Sequence, residues 1–594
     1  MKKILLQMSA VFLSAALCLP TCFATRTDSH ILQVGLAHGS GALTAANLQN
    51  SEDHGSGYRL GYFDEELEFV ELACTEAEQD KITVLRASQI YYDGSAYTVE
   101  QPSGSFDTIG CYHVVLDYFD EDEYEQAKEL AEEYDDAFVA WAIDEYQVRQ
   151  GAYETKEEAE LALEELDGWE VKGTSAYAVN VVETGDTRIL FQFDGSTDTP
   201  FGVMPDVTGA EDVHTWFKGY RYRGGFRYER LDGGKLTVVN VVDMETYIKG
   251  VIPYEMNNSW PVEALKAQAV CARSYAYNCI QQRSHVSSNF DICTTECCQV
   301  YRGVGSNVEN YQANERTDRA VEETAGMYAL YEGEPIWAYY SSCHGGGSER
   351  IDRVWYSDFS KFPYICGVVD PYEELVADIN PFSYWTKTFT ASQLLERLQN
   401  NGYGKGTSIE SLDLTYSEFG NVVEVQVNYE NGKHNTFTPK GTAFGVRSLF
   451  GGLSSLHFTI NGQKPDGMMG SASGVPAHAP ELSVNEDTTL DLDEKLYVLS
   501  GSGKTSVLDP SDMYIISGDG KVTALNVERE EEPEKEAASG GMVTVSGKKF
   551  VLEGAGNGHQ LGMSQFGAYA MAEEGFDYDE IVEFYYPGVR VDEL

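Results

Sequence analysis

Basic residues are scarce in this chain. Of its 594 residues, 42 are Lys or Arg and 95 are Asp or Glu, which gives a formal net charge of −53 at pH 7. A surface of that sign repels nucleic-acid phosphates, so we expect no nucleic-acid partner. It also disfavours simple electrostatic adhesion to an anionic polymer, so contact with such a polymer requires shaped, local sites.

Long apolar runs are scarce as well, because no stretch beyond the N-terminus approaches the ~20 residues that a membrane span needs. Residues 1–24 have the pattern of a signal peptide. Lys2 and Lys3 precede an apolar run from Ile4 to Leu19, and small residues near Ala24 suit cleavage. We therefore predict an exported, extracellular protein. The alternative is an uncleaved anchor that holds the chain on the outer face of the cytoplasmic membrane.

The cysteines do not pair off evenly. Nine of the 11 remain after the signal segment, and an odd number argues against a fully paired disulfide scaffold. His285, Cys293 and Cys298, with Cys297 or Cys343 available, have the softness and compactness of a tetrahedral zinc site. A disulfide from Cys293 is the alternative in an exported protein. We expect at most one structural zinc ion and no other cofactor.

The length predicts several domains, and the patterns predict a multidomain α+β protein. Residues 25–105 alternate apolar residues with turn residues, which is typical of a small β-rich module. Residues 106–190 predict the order βαββαβ, with helices over 121–133 and 156–166 and a closing strand over 176–182. Two such halves form a layer of helices on an antiparallel sheet.

The remaining chain is predicted to form a mixed α/β core over residues 209–462, a surface insertion over 463–545, and a return to the core over 546–594. The insertion carries strand patterns near 496–500 and 513–517, and a charge run from Glu528 to Glu536 that cannot bury a core. After it, Val543 to Gly554 predicts a hairpin and Ser564 to Ala572 predicts a helix.

Glu255 is the carboxylate with the most distinctive surroundings. An apolar strand over 236–242 precedes it, Ile252-Pro253 is expected to end that strand, and Ser259-Trp-Pro261 marks a helix start. These signals predict that Glu255 lies on a rigid strand-to-helix corner, where a catalytic carboxylate is well held. Gln268 and Arg273 follow on the helix.

The chain carries two motifs almost 300 residues apart, Val251-Ile-Pro-Tyr-Glu-Met256 with the helix to Arg273, and Gly556-Asn-Gly-His-Gln-Leu-Gly-Met-Ser-Gln565. Together they resemble the stage II sporulation protein D and amidase-enhancer family. Cys298-Gln-Val-Tyr-Arg-Gly303, Tyr340-Ser-Ser-Cys-His-Gly-Gly346 and Phe444-Gly-Val-Arg-Ser-Leu449 are similar to further landmarks of that family. The resemblance covers roughly residues 210 to 594.

The resemblance implies a peptidoglycan lytic transglycosylase that cleaves glycan strands with formation of 1,6-anhydro-MurNAc, in sporulation or cell-wall remodelling. It implies Glu255 as acid and base and Arg273 as its catalytic helper. It also implies that His559, Ser564 and Gln565 line the same cleft and bind substrate. Tyr254, which is bulkier than the residue the family usually has before the glutamate, and Gln268 are the other predicted substrate-binding positions. Gln560 departs from the family pattern, which has glycine there, and this puts a close backbone approach to the sugar in doubt.

The resemblance leaves a second role open, that of a non-catalytic, wall-binding enhancer of an N-acetylmuramoyl-L-alanine amidase. It also supports zinc at His285, Cys293 and Cys298, because some members of the family hold the metal at the matching place.

The βαββαβ region carries a weaker resemblance of its own. Val148-Arg-Gln-Gly-Ala-Tyr153 and the helix after Thr155 resemble SPOR domains, which bind glycan strands stripped of stem peptides. The alternative for this region is a plain spacer domain.

Overall fold

The computed structural model describes residues 30–51, 56–166, 168–195, 199–207, 213–282, 284–295, 297–306, 312–355, 357–440, 444–465 and 540–594, and the backbone of six strands between 481 and 524. The predicted signal segment and the charge run from Glu528 to Glu536 lie outside these residues. No helix within the described residues has the length and apolar character that a membrane crossing requires.

In the described part of the chain up to Glu255 there are nineteen strands and three α-helices, besides two short 3-10 helices. The strands are β1 Ile31–Ala37, β2 Ala45–Asn50, β3 Tyr58–Phe63, β4 Phe69–Cys74, β5 Lys81–Arg86, β6 Ile90–Tyr92, β7 Tyr97–Thr98, β8 Asp107–Ile109, β9 Tyr112–Phe119, β10 Ala137–Ala142, β11 Glu145–Tyr153, β12 Glu170–Gly173, β13 Val179–Glu183, β14 Ile189–Phe193, β15 Phe201–Pro205, β16 Thr215–Phe217, β17 Tyr220–Tyr222, β18 Gly225–Glu229 and β19 Thr237–Asp243. The helices are α1 Tyr124–Glu132, α2 Lys156–Leu163 and α3 Met244–Glu255.

The described elements that follow Glu255 include seven more α-helices. These are α4 Val262–Gln282, α5 Glu315–Glu322, α6 Ile351–Val354, α7 Ala391–Asn400, α8 Val446–Leu449, α9 Gln565–Glu573 and α10 Tyr578–Tyr585. The strands are β20 Ile292–Cys293, β21 Met327–Tyr331, β22 Glu334–Pro335, β23 Tyr340–Ser341, β24 Trp385–Thr390, β25 Ile409–Tyr416, β26 Val422–Tyr429, β27 His434–Phe437, β28 Phe458–Ile460, β29 Glu481–Asn485, β30 Thr488–Asp491, β31 Tyr497–Leu499, β32 Thr505–Val507, β33 Tyr514–Ile516, β34 Val522–Ala524, β35 Met542–Ser546, β36 Lys549–Gly554, β37 Met563–Ser564 and β38 Arg590–Glu593. Both helices and strands run through the chain, so the predicted α+β class is confirmed.

The chain divides into two compact units, and the first contains the described residues within 1–46, 56–208 and 224–246. In this unit β1, β19, β18, β15, β3 and β4 form one antiparallel sheet. The early strands therefore pair with strands from residues 201–243 rather than with one another alone. The segment 25–105 shares its sheets with later residues, because β5 likewise pairs with β13.

The predicted βαββαβ order occurs in this first unit from β9 to β12. The strands lie in the order β12-β9-β11-β10 with antiparallel neighbours, which is the arrangement of a ferredoxin-like layer. The closing strand is Glu170–Gly173 and not the apolar segment 176–182. The apolar segment instead forms β13, which has β5 on one side and β14 on the other. A position between two strands suits its hydrophobic side chains.

The second unit contains the described residues within 47–55, 209–223 and 247–594. Its centre is α4, which begins as predicted and is buried on almost every face, including Gln268 and Arg273. Helices α5, α9 and α10 and strand β21 pack on α4. Because α4 is enclosed, its polar side chains need partners inside the protein.

The approach to Glu255 differs from the prediction. Helix α3 occupies residues 244–255, so Glu255 lies at the corner between two helices and not after a strand. The Thr246 N–H donates to Asp243 Oδ1 (3.1 Å), which caps the first turn. Gly250 and Pro253 concealed this helix in the sequence, since both weaken helices. Pro253 is tolerated in the last turn.

The predicted hairpin from Val543 to Gly554 is also wrong. Strand β35 pairs with β25, whereas β36 lies between β24 and β28 in a different sheet. A turn residue between two alternating segments does not show whether they pair with each other. Within the insertion, the described strands form three hairpins, β29–β30, β31–β32 and β33–β34.

Gly303 fixes the loop that follows Cys298. Its φ is +59°, and an added Cβ would overlap the carbonyl oxygen of Arg221. We expect Gly303→Ala to lower the free energy of unfolding by roughly 3 kcal/mol, because left-handed strain and overpacking add. Denaturant unfolding would measure the loss.

Gly326→Ala is the matched control for this substitution. Gly326 also has a positive φ, +76°, but nothing lies within 4 Å of the added Cβ. We expect it to cost only about 1 kcal/mol, the strain alone. Equal losses in the two variants would contradict the overlap at Gly303.

Candidate functional site

Glu255 ends helix α3 and is half-buried. Ile252 and Met256 beside it are buried, and the Met256 N–H donates to the Ile252 carbonyl (2.9 Å), which holds the helix end. The Trp260 N–H donates to the Asn257 carbonyl (3.0 Å), so the corner before α4 is itself a turn. The carboxylate thus lies on rigid backbone, although that backbone is helical on both sides.

Three donors converge on the Glu255 carboxylate. The Val300 N–H donates to Oε1 (2.9 Å), and the side chains of Tyr340 and Gln565 also hydrogen-bond the group. Burial raises the pKa of Glu255 above its ordinary value, and these three hydrogen bonds oppose that rise by stabilising the charged form.

Tyr340 belongs to a buried chain of hydrogen bonds. The Tyr247 hydroxyl donates to Gln299 Oε1 (3.1 Å), and Gln299 Nε2 donates to the Tyr340 hydroxyl (3.2 Å). Because Tyr340 accepts from Gln299, its own proton is free to point at Glu255. Burial raises the pKa of Tyr340 well above its ordinary value, so it remains a donor. The chain orients the hydroxyl toward the carboxylate.

Gln268 and Gln565 extend the network to helices α4 and α9. Gln565 Nε2 donates to Gln268 Oε1 (3.3 Å), so Gln268 reaches Glu255 through Gln565. Gln268 is fully buried, and its Nε2 has no protein partner among the described residues. The structure therefore brings these two predicted residues to the site, with Gln268 positioned behind Gln565.

Aromatic side chains lie on both sides of the Glu255 corner. The Trp260 ring packs edge-on against Phe566 and Tyr569, with centroids 5.0 and 5.1 Å apart. Tyr254 is half-buried and meets Tyr220 edge-on at 6.1 Å. Half-buried rings beside a carboxylate offer apolar faces on which sugar rings stack.

Ser564 has a different role from the predicted contact with substrate. It is fully buried, its Oγ accepts from the Gly567 N–H (3.0 Å) as the cap of α9, and it donates to Glu373. A side chain with these bonds cannot reach a ligand in the cleft. Ser564 instead fixes the start of the helix that carries Gln565.

His559 is also held by backbone groups. Its Nδ1 accepts from the Leu561 N–H (3.1 Å), and it hydrogen-bonds the backbone of Tyr340. Burial lowers the pKa of His559 to about 4, so the ring is neutral. Trp355 packs on it with centroids 5.1 Å apart. His559 thereby supports Tyr340 and is not a free acid or base.

The backbone φ of Gln560 is +63°, a left-handed conformation that favours glycine. Glycine is the residue of the family pattern at this position. The side chain of Gln560 is fully buried, with Oε1 accepting from the Leu456 N–H (2.8 Å) and Nε2 donating to the His344 carbonyl (3.2 Å). The side chain therefore points into the protein. The doubt about a close approach of backbone to sugar at this position therefore does not come from the side chain.

Arg273, the predicted catalytic helper, connects α4 to a neighbouring strand. It is fully buried in α4, and its Nη1 donates to the Met327 carbonyl at the start of β21 (3.0 Å). Arg273 follows Gln268 by five positions on α4, so its side chain points ~140° away from that of Gln268 around the helix axis. Arg273 thus joins α4 to β21 from inside the protein.

The predicted metal residues do lie together. One ligand atom each from His285, Cys293, Cys297 and Cys298 falls within 4.8 Å of the others, and His285 Nε2 lies 3.1 Å from Cys298 Sγ. Cys293 is free of disulfides in the structure, as are the other eight described cysteines. A hydrogen bond with Cys298 and burial raise the pKa of Cys293 to about 12. One imidazole and three thiols are the donor set of structural zinc sites.

Sequence reasoning missed Val300 and Tyr340 as partners of Glu255 and Gln299 as the donor to Tyr340, although all three lie inside the family landmarks. It also missed Asp370 and Glu373, which are fully buried near Ser564. The landmarks were the available signal for the first three residues. Nothing in the local sequence distinguishes Asp370 and Glu373 from ordinary surface acids.

Comparison with known proteins agrees with the landmarks. Residues 232–331 match the SpoIID family model, described as "Stage II sporulation protein". An amidase enhancer of Bacillus subtilis (strain 168) is 30% identical over 351 residues, which is 58% of this chain and 40% of that protein. The matched region thus spans less than half of that relative.

Two sporulation proteins are also similar. Stage II sporulation protein D of Bacillus subtilis (strain 168) is 24% identical over 362 residues, and that of Bacillus amyloliquefaciens is 23% identical over 362 residues. Each alignment covers 60% of this chain and 76% of the relative. The predicted resemblance is confirmed, and these names support a role related to the cell wall. The SPOR-like resemblance of the first unit stays a prediction.

Replacing Arg273 tests its structural role. We expect Arg273→Met to lower the free energy of unfolding by about 2 kcal/mol or more, because the Met327 carbonyl loses a charged donor inside the protein. Arg319→Met is the control, since Arg319 is exposed and, among the described residues, forms an ion pair with Glu323 alone (2.6 Å). We expect a loss below about 1 kcal/mol. Unchanged stability in Arg273→Met would argue for a role outside the core.

Proposed function

We propose that this chain, a member of the SpoIID family, is an exported lytic transglycosylase. Its substrate would be peptidoglycan glycan strands, cleaved at the MurNAc–GlcNAc bond with formation of 1,6-anhydro-MurNAc. The observation that supports this most is Glu255, a half-buried carboxyl group with a raised pKa that three hydrogen bonds hold beside aromatic rings.

Glu255 would act first as a general acid. In its protonated form it gives its proton to the glycosidic oxygen as the bond to the anomeric carbon breaks. As a carboxylate, stabilised by Val300, Tyr340 and Gln565, it then accepts the proton of the substrate's own C6 hydroxyl. That oxygen attacks the anomeric carbon and closes the anhydro ring, so the residue ends protonated and ready for another cycle.

A single carboxylate suffices because the nucleophile is part of the substrate, and a tethered hydroxyl has a high effective concentration. Hydrolysis by two carboxylates would need a second acid facing the sugar. Glu373 is a buried acid connected to this region through Ser564. Its carboxylate oxygens already accept hydrogen bonds from the backbone N–H groups of residues 344–346 and from the Ser564 hydroxyl. It is fully enclosed and cannot meet a sugar.

Glu255→Gln tests the catalytic assignment. The amide keeps the shape but cannot transfer the proton, so we expect a loss of ~100-fold or more in the release of anhydro-muropeptides. The measurement is digestion of purified sacculi followed by mass analysis of the products. Digestion of sacculi with and without prior amidase treatment shows whether stem peptides must be removed first.

Glu263→Gln is the matched control, because Glu263 lies in the first turn of α4, only eight residues after Glu255. It pairs with Lys266 (2.8 Å) and accepts from the Tyr578 N–H (3.1 Å), so it serves packing. We expect near-normal product release from this variant. More than a few per cent of activity in Glu255→Gln, or equal losses in both variants, would remove Glu255 from the mechanism.

Tyr340→Phe tests how the acid is tuned. Removing the hydroxyl takes away a donor that stabilises the Glu255 carboxylate, so the pKa of Glu255 should rise further. The protonated acid then persists to higher pH, and the basic limb of the pH profile of kcat/KM should move upward. Tyr339→Phe, at a neighbouring ring that does not bond Glu255, should leave that limb in place. A downward shift in Tyr340→Phe would contradict the proposed network.

A second function is favoured by the name of one relative, the amidase enhancer. In this role the chain would bind the wall and position an N-acetylmuramoyl-L-alanine amidase without cleaving glycan itself. The two functions give different results in one assay. An enhancer raises amidase release of stem peptides equally well with Glu255→Gln and yields no anhydro-products, whereas a transglycosylase yields them without an amidase.

We also propose that the layer from β9 to β12 binds glycan stripped of stem peptides. Its strand order supports this proposal, and its acidic composition predicts contacts that vary little with salt. Because β14 continues the same sheet beside β10, the whole first unit is the appropriate fragment for a binding experiment.

We further propose zinc at His285, Cys293, Cys297 and Cys298, where it would serve as a structural clip. Purified protein should carry close to one equivalent at this site, and Cys293→Ser with Cys298→Ser should lose it and melt at a lower temperature. Elemental analysis and thermal unfolding would measure both. A Cys293 disulfide on peptide mapping, with no metal lost from the variant, would favour the alternative.

A further inference from the structure

A second group of ligand-type side chains lies inside the C-terminal unit, away from the cysteines. His344, Asp370 and Glu373 are buried, and one ligand atom of each lies within 4.8 Å of the others. The group comes from two segments, the loop after β23 and the turn before the short helical segment Glu373–Val376. Neither the catalytic proposal nor the zinc proposal uses these residues.

The two carboxylates are held by neutral donors only. Asp370 accepts from the Tyr585 hydroxyl (2.6 Å) and from the N–H groups of Tyr372 (2.9 Å) and Glu373 (3.3 Å). Glu373 accepts from the Ser564 hydroxyl and from the backbone of residues 344–346. Within the described residues, no Lys, Arg or His forms an ion pair with either acid.

His344 is the independent observation. It is fully buried, and neither ring nitrogen has a hydrogen-bond partner among the described residues. An unsatisfied buried polar group costs about 1–3 kcal/mol, so an imidazole with two such nitrogens requires an explanation. Because a charged ring without a partner is costly to bury, the neutral form of His344 is favoured, and that form has a lone pair to offer.

The charges in this pocket do not balance. Two buried carboxylates face each other, and each ion costs several kcal/mol to remove from water when no opposite charge compensates it. A cation between the acids would resolve this imbalance, and the free imidazole nitrogen supplies a third ligand.

We propose that His344, Asp370 and Glu373 bind one divalent transition-metal ion, a second metal site separate from the cysteine cluster. One imidazole and two carboxylates suit zinc or manganese better than a soft thiolate-seeking ion. The ligand atoms need to draw closer by small side-chain movements, while the Ser564 hydroxyl keeps its hydrogen bond to Glu373. Because Ser564 also caps α9, the ion would hold the start of the helix that carries Gln565.

The test is multi-element metal analysis of the full-length chain. We expect His344→Gln to lose one equivalent relative to the unchanged protein, with the cysteine site still filled. His457→Gln is the matched control, because His457 is also buried with an unpartnered Nδ1 among the described residues but belongs to no ligand group. Its metal content should not change. Equal metal content in all three proteins overturns the proposal.

A second measurement does not depend on changing His344, whose replacement could prevent folding. The Cys293→Ser, Cys298→Ser variant keeps the buried triad and lacks the thiolate site. It should retain one equivalent of metal, and a strong chelator should lower its melting temperature by several degrees. A metal-free variant, indifferent to chelator, overturns the proposal and leaves a proton shared by the two carboxyl groups as the explanation. Neither result depends on glycan cleavage.

Discussion

The hydrogen bond from the Val300 N–H to Glu255 is the interaction around which the site is organised. It ties the end of α3 to the loop after the cysteine cluster, and Gly303 lets that loop pass against the backbone of Arg221. The same carboxylate receives Tyr340 from β23 and Gln565 from α9. A half-buried carboxylate is stable only where the surrounding fold supplies hydrogen-bond donors of this kind. The geometry of the site therefore depends on the packing around α4.

The sequence predicted the parts of the site that depend on motifs and missed those that depend on pairing. The class, helix α4, the strand before α3, the cysteine cluster and the importance of the C-terminal motif follow from residue patterns within a few turns. Helix α3 was missed because Gly250 and Pro253 outweighed the capping signal at Asp243. The hairpin at 543–554 failed because strand partners lie far away in the chain, where local turn residues carry no information.

The side chains that were assigned to substrate show why motif positions need geometry. Gln565 and Gln268 reach Glu255, but Ser564, His559 and Arg273 are bonded to backbone or to buried acids. A residue in a shared motif can thus serve to position a neighbouring residue. Hydrogen-bond partners separate the two kinds of residue, since Gln268 is as fully buried as Ser564 and Arg273. Neither those partners nor the burial of a polar side chain on an enclosed helix such as α4 is visible from the sequence period.

The three partners of Glu255 lie at positions 300, 340 and 565, each in a different stretch of the chain. A growing polypeptide therefore contains Glu255 long before it contains the last group that orients it. Until α9 has been synthesised and docked, the carboxyl group lacks Gln565, and helix α4 lacks one of the helices that cover it. A wall-cutting activity built in this way would remain silent during synthesis and would appear only when the C-terminal segment closes the fold.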